Sequence, residues 1–165
     1  MLRSLYIQNY ALIEKLDISF ETGFSVITGE TGAGKSIIIG SINLALGEKV
    51  SKEMLRDNEE NAFVELIFDV ESDALKKALS GLDVYPEDDM LILSRKISGG
   101  RSIAKINGES VPASKMKAVS ALLIDIHGQH EHQSLLHKKK HMEILDAYAG
   151  AEFAKCAEQV GALYH

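Results

Sequence analysis

A glycine-rich run near the start of the chain has the residue types and spacing of a phosphate-binding loop. It reads Gly29-Glu30-Thr31-Gly32-Ala33-Gly34-Lys35-Ser36 and fits the pattern G-x-x-x-x-G-K-[ST]. Its glycines let backbone N–H groups turn toward phosphate oxygens, and a helix that begins there adds a partial positive charge. We predict that Lys35 reaches the β- and γ-phosphates of a bound nucleotide and that the Ser36 hydroxyl binds Mg²⁺. The candidate nucleotide-binding residues run from Gly29 to Ile37.

The segments on either side of the loop are those that would position it. Residues 24–28 are mostly apolar and predict a short buried strand, and residues 37–46 predict a buried helix that ends near Gly47. Strand, loop and helix in this order are the context in which the motif binds phosphate.

Composition limits the classes of protein to consider. The 165 residues are 45% hydrophobic and 25% charged, which predicts one ordinary globular domain. A net charge of −6 argues against a broad nucleic-acid-binding surface. The single cysteine, Cys156, forms no internal disulfide, and no run has the length of a signal peptide or a membrane span. We expect a cytoplasmic protein with no membrane partner.

The remaining pattern predicts an α/β fold. Apolar runs and alternations indicate strands over residues 2–7, 16–20, 62–68, 90–97, 102–106 and 122–127, and helices over residues 73–80, 113–120 and 138–148. At the end of the chain Phe153, Cys156, Val160 and Leu163 are spaced 3, 4 and 3. That spacing is typical of a coiled-coil seam, and an amphipathic terminal helix explains it equally well.

Three stretches together resemble the RecN family, bacterial ATPases of DNA double-strand-break repair that are related to the SMC proteins. They are residues 7–13 (Ile-Gln-Asn-Tyr-Ala-Leu-Ile), residues 28–37 with the phosphate loop, and residues 124–133 (Ile-Asp-Ile-His-Gly-Gln-His-Glu-His-Gln). The resemblance covers essentially the whole chain, in order. The first and third stretches are more particular to the family than the phosphate loop, which many ATPases share.

The resemblance implies the fold of an ABC-type ATPase head, in its amino-terminal lobe, with a mixed sheet around the Walker A helix. Residues 1–149 would form this lobe, and residues 150–165 would begin a coiled-coil helix. In the family a long antiparallel coiled coil and a carboxy-terminal lobe follow. We therefore expect this chain to be a fragment of the head.

The resemblance also assigns roles outside the loop. Gln129 matches the glutamine of the Q-loop, which binds Mg²⁺ or orients the attacking water, so Lys35 and Gln129 are the candidate catalytic residues. Arg56 lies where SMC-like heads carry an arginine that approaches the nucleotide phosphates or responds to DNA, and a solvated surface arginine is the alternative. The basic run at residues 138–140 either touches DNA phosphates or begins a solvated helix.

Several motifs imitate parts of an ATPase site. Asp125 ends an apolar run, as a Walker B aspartate does. A Walker B aspartate is followed by a glutamate that acts as the general base, but here Ile126 follows. We therefore assign Asp125 to the strand before the Q-loop and leave a Mg²⁺ role for it open. Asp69 is a weaker candidate of the same kind. Residues 97–101 imitate the ABC signature and predict a hairpin turn. The five histidines between residues 127 and 141 suggest zinc less than a polar neighbourhood of the Q-loop.

By resemblance, the protein binds ATP and Mg²⁺, its heads associate when ATP is bound, and it acts in DNA double-strand-break repair and recombination at the bacterial nucleoid. Its partners would be its own carboxy-terminal head lobe, a second head in a homodimer, and DNA. Since we find no convincing general base or signature, we expect little hydrolysis by this chain alone. Two alternatives remain: a self-contained P-loop kinase or GTPase, and an interaction module that binds nucleotide without hydrolysis.

Overall fold

The computed structural model describes residues 1–28, 34–49, 61–98 and 101–126, and four further positions, Leu145, Tyr148, Ala149 and Val160. The chain divides into two units, Met1–Ile124 and Asp125–His165. Those four positions of the second unit are helical and exposed. The predicted helix over residues 138–148 and the heptad-like end fall mostly outside the described residues. The boundary that we expect at residue 149 stays a prediction.

The described residues of the first unit form a six-stranded sheet and three helices. In chain order the elements are β1 (Leu2–Tyr10), β2 (Ile13–Ser19), α1 (Gly34–Ala45), β3 (Asn61–Asp69), α2 (Asp73–Ser80), β4 (Met90–Ser98), β5 (Arg101–Ile106), β6 (Glu109–Val111) and α3 (Ala113–Leu123). The strand order across the sheet is β2-β1-β3-β4-β5-β6. Strands next to each other in the chain mostly pair, so the order is that of a meander into which α1 is inserted.

Every pairing between these described strands is antiparallel, which corrects the mixed sheet expected above. The crossover through α1 joins β2 to β3, which run in the same direction, but β1 lies between them, so they are not neighbours in the sheet. A parallel neighbour needs a crossover from one strand to the next. Here the strand after α1 is β3, which runs antiparallel to both of its neighbours, β1 and β4.

One face of the sheet is the core. Leu5, Leu66 and Leu93 stand opposite one another in register, and each is 0% exposed. In β3 the alternation is regular: Ala62, Val64, Leu66 and Phe68 are buried, and the residues between them are partly exposed. Helix α1 packs against β1, β3 and β4. Burial of each large apolar side chain contributes about 1.5–3 kcal/mol, so this face supplies most of the stability that fixes α1.

Two turns follow from their sequence. Asn107 and Gly108 both have positive φ angles, 46° and 82°, which is the two-residue hairpin turn that Asn-Gly favours. The strand that this turn begins, β6, has only three residues, which are too few for a periodic pattern to predict a strand. Ser98 of β4 pairs with Arg101 of β5, as expected of the hairpin predicted at residues 97–101, and Gly99 and Gly100 lie outside the described residues.

Helix α2 has the predicted limits. The Ser72 hydroxyl accepts a hydrogen bond from the Leu75 N–H at 3.5 Å, and the helix ends before Gly81. Helix α3 is longer than predicted and includes Leu122 and Leu123. The strand expected over residues 122–127 is therefore wrong, since a short apolar run fits a helix as well as a strand. Among the helices that the structure describes, none is long and apolar enough to cross a membrane.

Candidate functional site

The structure describes four of the candidate nucleotide-binding residues, Gly34, Lys35, Ser36 and Ile37. They form the first turn of α1. The rest of the loop, Gly29–Ala33, lies outside the described residues, as do Arg56 and Gln129. The structure therefore tests the helical end of the predicted site and leaves its loop and its Q-loop as predictions.

The first turn of α1 faces solvent. Gly34, Lys35 and Ser36 are exposed, whereas the last five residues of the helix are buried. The first four N–H groups of a helix have no partner within it, and the helix dipole places partial positive charge at that end. With an ammonium and a hydroxyl beside them, these groups form a surface that suits phosphate oxygens and a Mg²⁺ ion.

The segment before the loop is not the buried strand that the sequence predicts. Residues 24–28 have no assigned strand, and all five are exposed. The exposed fraction is 93% for Phe24, 65% for Val26 and 42% for Ile27. A strand needs a neighbour for its backbone hydrogen bonds, and within the described residues the sheet ends at β2 on one side and β6 on the other. The segment is apolar, as predicted, but among the described residues no strand pairs with it.

The other end of α1 is closed by a glycine cap. The Gly47 N–H donates to the Leu44 carbonyl and the Glu48 N–H donates to the Asn43 carbonyl, both at 3.1 Å. These two bonds are the Schellman arrangement, which needs a residue with positive φ, and Gly47 has φ of +108°. The sequence prediction that the helix ends near Gly47 is confirmed.

Three neighbours fix the position of α1 against the rest of the unit. The Tyr10 hydroxyl lies so close to Gly40 that a Cβ there would be 3.2 Å from it. The Ser120 hydroxyl of α3 donates to the Leu46 carbonyl at 3.2 Å. The Arg95 guanidinium of β4 donates to the Leu44 carbonyl at 3.0 Å. Burial is the main reason why the pKa of Tyr10 is raised, and nearby Glu48 raises it further.

Sequence reasoning missed these three anchors. Arg95 had one available signal, since it is a charged residue inside the apolar strand Leu91-Ile92-Leu93-Ser94-Arg95-Lys96-Ile97. Strand alternation puts it on the same face as Leu93 and Ile97, which predicts a buried charge. Tyr10 and Ser120 carry no comparable signal, because the groups that they approach, Gly40 and the Leu46 carbonyl, are distant in the chain.

The two aspartates that imitate Walker B have different surroundings. Asp69 ends β3, and its carboxylate forms an ion pair with Arg3 at 3.3 Å. Its carbonyl accepts a hydrogen bond from the amino terminus of Met1 at 2.6 Å. Asp125 is exposed and follows α3 without a strand before it, so its assignment to a strand before the Q-loop is wrong. In the described structure Asp69 therefore has the role of holding the start of β1.

The histidines between residues 127 and 141 and the basic run at 138–140 lie outside the described residues. In the part of the chain that is described, no cluster of three or more His, Cys, Asp or Glu side chains could hold a metal ion. The zinc alternative and the DNA alternative for these residues stay as they were stated.

The comparisons with known proteins support the resemblance to the RecN family. Residues 4–155 match a family model described as an AAA domain. The DNA repair protein RecN of Halalkalibacterium halodurans is 43% identical over 99% of this chain, and RecN of Bacillus subtilis is 44% identical over 92%. The chain spans only 29% and 27% of the length of these two relatives.

Solved structures show the same fold at low identity. A chain from a study of ATP-driven dimerization and DNA-stimulated activation of SMC ATPases has a TM-score of 0.60 at 22% identity, over 73% of this chain and 78% of that chain. The SMC head domain of Pyrococcus furiosus, solved with an extended coiled coil, has a TM-score of 0.59 at 23% identity, over 73% and 32%. The fold is that of an ABC-type P-loop ATPase head, in its amino-terminal lobe. The chain therefore belongs to the AAA domain family, and its sequence is of the RecN type.

Proposed function

We propose that this chain binds ATP and Mg²⁺ at the first turn of α1, as the nucleotide-binding part of a longer RecN-like ATPase of DNA repair. The observation that carries the proposal is the exposure of Lys35 and Ser36, the last two residues of a complete phosphate-loop sequence, at the start of α1. An exposed helix start with an ammonium and a hydroxyl gives a triphosphate both charge and hydrogen-bond donors.

The proposed division of labour follows the chemistry of phosphoryl transfer. Backbone N–H groups of Gly29–Gly34 and the Lys35 ammonium hold the β- and γ-phosphates, and Ser36 and Gln129 hold Mg²⁺. Mg²⁺ would neutralise part of the phosphate charge. Gln129 orients the water for attack, and Arg56 approaches the phosphates from the segment after α1.

Hydrolysis is proposed to need more polypeptide than this chain. Both candidate Walker B aspartates are followed by apolar residues, Asp69 by Val70 and Asp125 by Ile126, so neither has the adjacent glutamate that would act as a general base. We infer that a carboxy-terminal head lobe supplies the aspartate and the base, and that a second head caps the γ-phosphate. The relatives, which are more than three times as long, support this inference.

The exposed segment 24–28 is proposed to be where the carboxy-terminal lobe joins. Its apolar side chains have the composition of a strand, and a strand from another lobe would provide the missing backbone hydrogen bonds. The name shared by the relatives, DNA repair protein, supports DNA as a partner of the longer protein and the bacterial nucleoid in the cytoplasm as its place of action.

The test is calorimetry of the 165-residue chain with ATP and Mg²⁺. Lys35→Ala removes the ammonium from the phosphate site, and we expect the affinity to fall at least tenfold, which is about 1.4 kcal/mol. Lys77→Ala, on the exposed face of α2, is the matched control and should bind ATP like the wild type. Equal affinity of the wild type and Lys35→Ala would contradict the assignment of the site.

A further inference from the structure

Arg95 is a buried cation that has no carboxylate partner among the described residues. It lies in the middle of β4, between Val64 and Ala104 in the register of the sheet, and is 6% exposed. None of the ion pairs between described residues includes it. Burial lowers its pKa from the usual range of an arginine. A buried charge is costly, and an apolar side chain of similar length would fill the same space without that cost.

The guanidinium donates hydrogen bonds to two different elements. Nη1 donates to the Leu44 carbonyl of α1 at 3.0 Å, and Nη2 donates to the Ser102 hydroxyl of β5 at 3.0 Å. The buried Nε has no hydrogen-bond partner in the described part of the chain. The side chain is therefore a bridge between α1 and the sheet, and one that leaves a donor unsatisfied.

The bond to Leu44 is made at a particular place on the helix. Leu44 lies in the last turn of α1, where carbonyl groups carry the negative end of the helix dipole. Its oxygen already accepts the Gly47 N–H of the cap, so Arg95 adds a second, charged donor to the same atom. This contact fixes both the depth and the rotation of that end of the helix.

The opposite end of the same helix carries the phosphate-binding residues. Helix α1 has 12 residues, so Lys35 lies about 14 Å along the axis from Leu44 at a rise of 1.5 Å per residue. A helix of this length moves nearly as a rigid rod, and a displacement at Leu44 reaches Lys35 and Ser36. Errors of about 1 Å in the placement of such groups cost up to about a hundredfold in function.

We propose that Arg95 is a positioning residue of the nucleotide site, which holds α1 so that Lys35 and Ser36 meet the phosphates and the metal ion of ATP. The inference rests on the proposed function and adds to it a residue that touches neither nucleotide nor metal. It also explains why the fold keeps a buried charge in β4, where an apolar residue would be less costly.

The experiment separates positioning from general stability. ATP affinity by calorimetry and the midpoint of thermal unfolding are measured for the wild type, Arg95→Met, Arg95→Lys and Ser102→Ala. The control is Leu79→Ala, which makes a cavity in α2. It should lower the unfolding temperature and leave the ATP affinity at the wild-type value.

We expect Arg95→Met to weaken ATP binding about tenfold and Arg95→Lys about threefold, because lysine keeps the charge but cannot reach both acceptors. Ser102→Ala should weaken it about twofold. If Arg95→Met does not fold, Arg95→Lys and Ser102→Ala decide the matter. Wild-type affinity in the folded Arg95 variants would overturn the inference, as would a loss in Leu79→Ala as large as in Arg95→Met.

The proposed function and this inference can fail separately. A wild type that binds no ATP refutes both. A wild type that binds ATP and loses it in Lys35→Ala, with Arg95 variants that bind normally, refutes the positioning role of Arg95 alone.

Discussion

Single residues in this protein are constrained at the end of α1 that faces the core. The Schellman cap puts Gly47 at a φ of +108°, and a Cβ there would lie 2.9 Å from Cγ of Lys117. The residue thus has both reasons to be glycine: a backbone angle that other residues resist, and a neighbour that leaves no room. The sequence alone indicates the cap, but not the neighbour.

We predict that Gly47→Ala lowers the free energy of unfolding by about 1–3 kcal/mol, measured by urea denaturation, because alanine is strained at this φ and its methyl group displaces Lys117. Gly81→Ala is the control. Gly81 follows α2 with a φ of −64°, which alanine adopts easily, so its loss should be smaller. Similar losses for the two variants would show that neither the backbone angle nor the contact decides the stability of the cap.

The residues that a sequence motif identifies depend on local order in the chain, whereas those that the structure identifies depend on long-range contacts. Lys35 and Ser36 belong to a local pattern, so their chemistry can be predicted from a run of eight residues. Arg95 acts on a carbonyl that lies 51 positions away in the chain. No local pattern specifies such a pair, and only the packing of α1 against β4 brings the two residues together.

Among the elements, the segment 24–28 and the end of α3 show how far an apolar pattern can be trusted. Both were predicted as buried strands, and neither is one in the structure. Residues 122 and 123 continue α3 because its hydrogen bonds are local and need no partner strand. Residues 24–28 have no partner strand among the described residues, and so the same composition stays exposed.

We predict that replacing Phe24 and Val26 together by serine makes the chain less prone to aggregate and leaves its unfolding temperature within a few degrees of the wild type. Both side chains are exposed, at 93% and 65%, so they contribute little to the core, and exposed apolar patches promote association.

Light scattering during storage and thermal unfolding are the two measurements. The control is Val64→Ser, in the buried face of β3, which should unfold the protein at a much lower temperature. A large drop in the unfolding temperature of the Phe24 and Val26 variant would mean that the segment is packed in solution.

At the scale of the whole molecule, the chain carries the exposed helix start of the proposed nucleotide site on a well-packed sheet. It spans 27–29% of the length of its RecN relatives, and its sequence offers no glutamate after either candidate aspartate. Binding and hydrolysis are therefore expected to separate. The groups that we propose to hold phosphate lie on this chain, and the general base is expected elsewhere.

We predict that the isolated chain binds ATP but releases phosphate far below about 1 s⁻¹, the lower end of ordinary enzyme rates. Phosphate release is measured on the chain alone and after addition of the remaining part of a longer relative such as Bacillus subtilis RecN. Turnover on mixing supports a split ATPase. Ordinary turnover by the chain alone would mean that it contains its own general base.

The sequence by itself determined the helix that follows the predicted phosphate loop, its end at Gly47, the limits of α2 and the pairing of β4 with β5. Each of these depends on interactions within a few residues, so a local pattern carries enough information. Only the tertiary structure decided that segment 24–28 is exposed, that residues 122 and 123 belong to α3, and that Arg95, Tyr10 and Ser120 hold α1. These depend on which distant groups are present to complete a sheet or to accept a hydrogen bond. A local sequence can specify an apolar strand or a buried cation, but the group that pairs with that strand or cation depends on how the whole sheet is assembled.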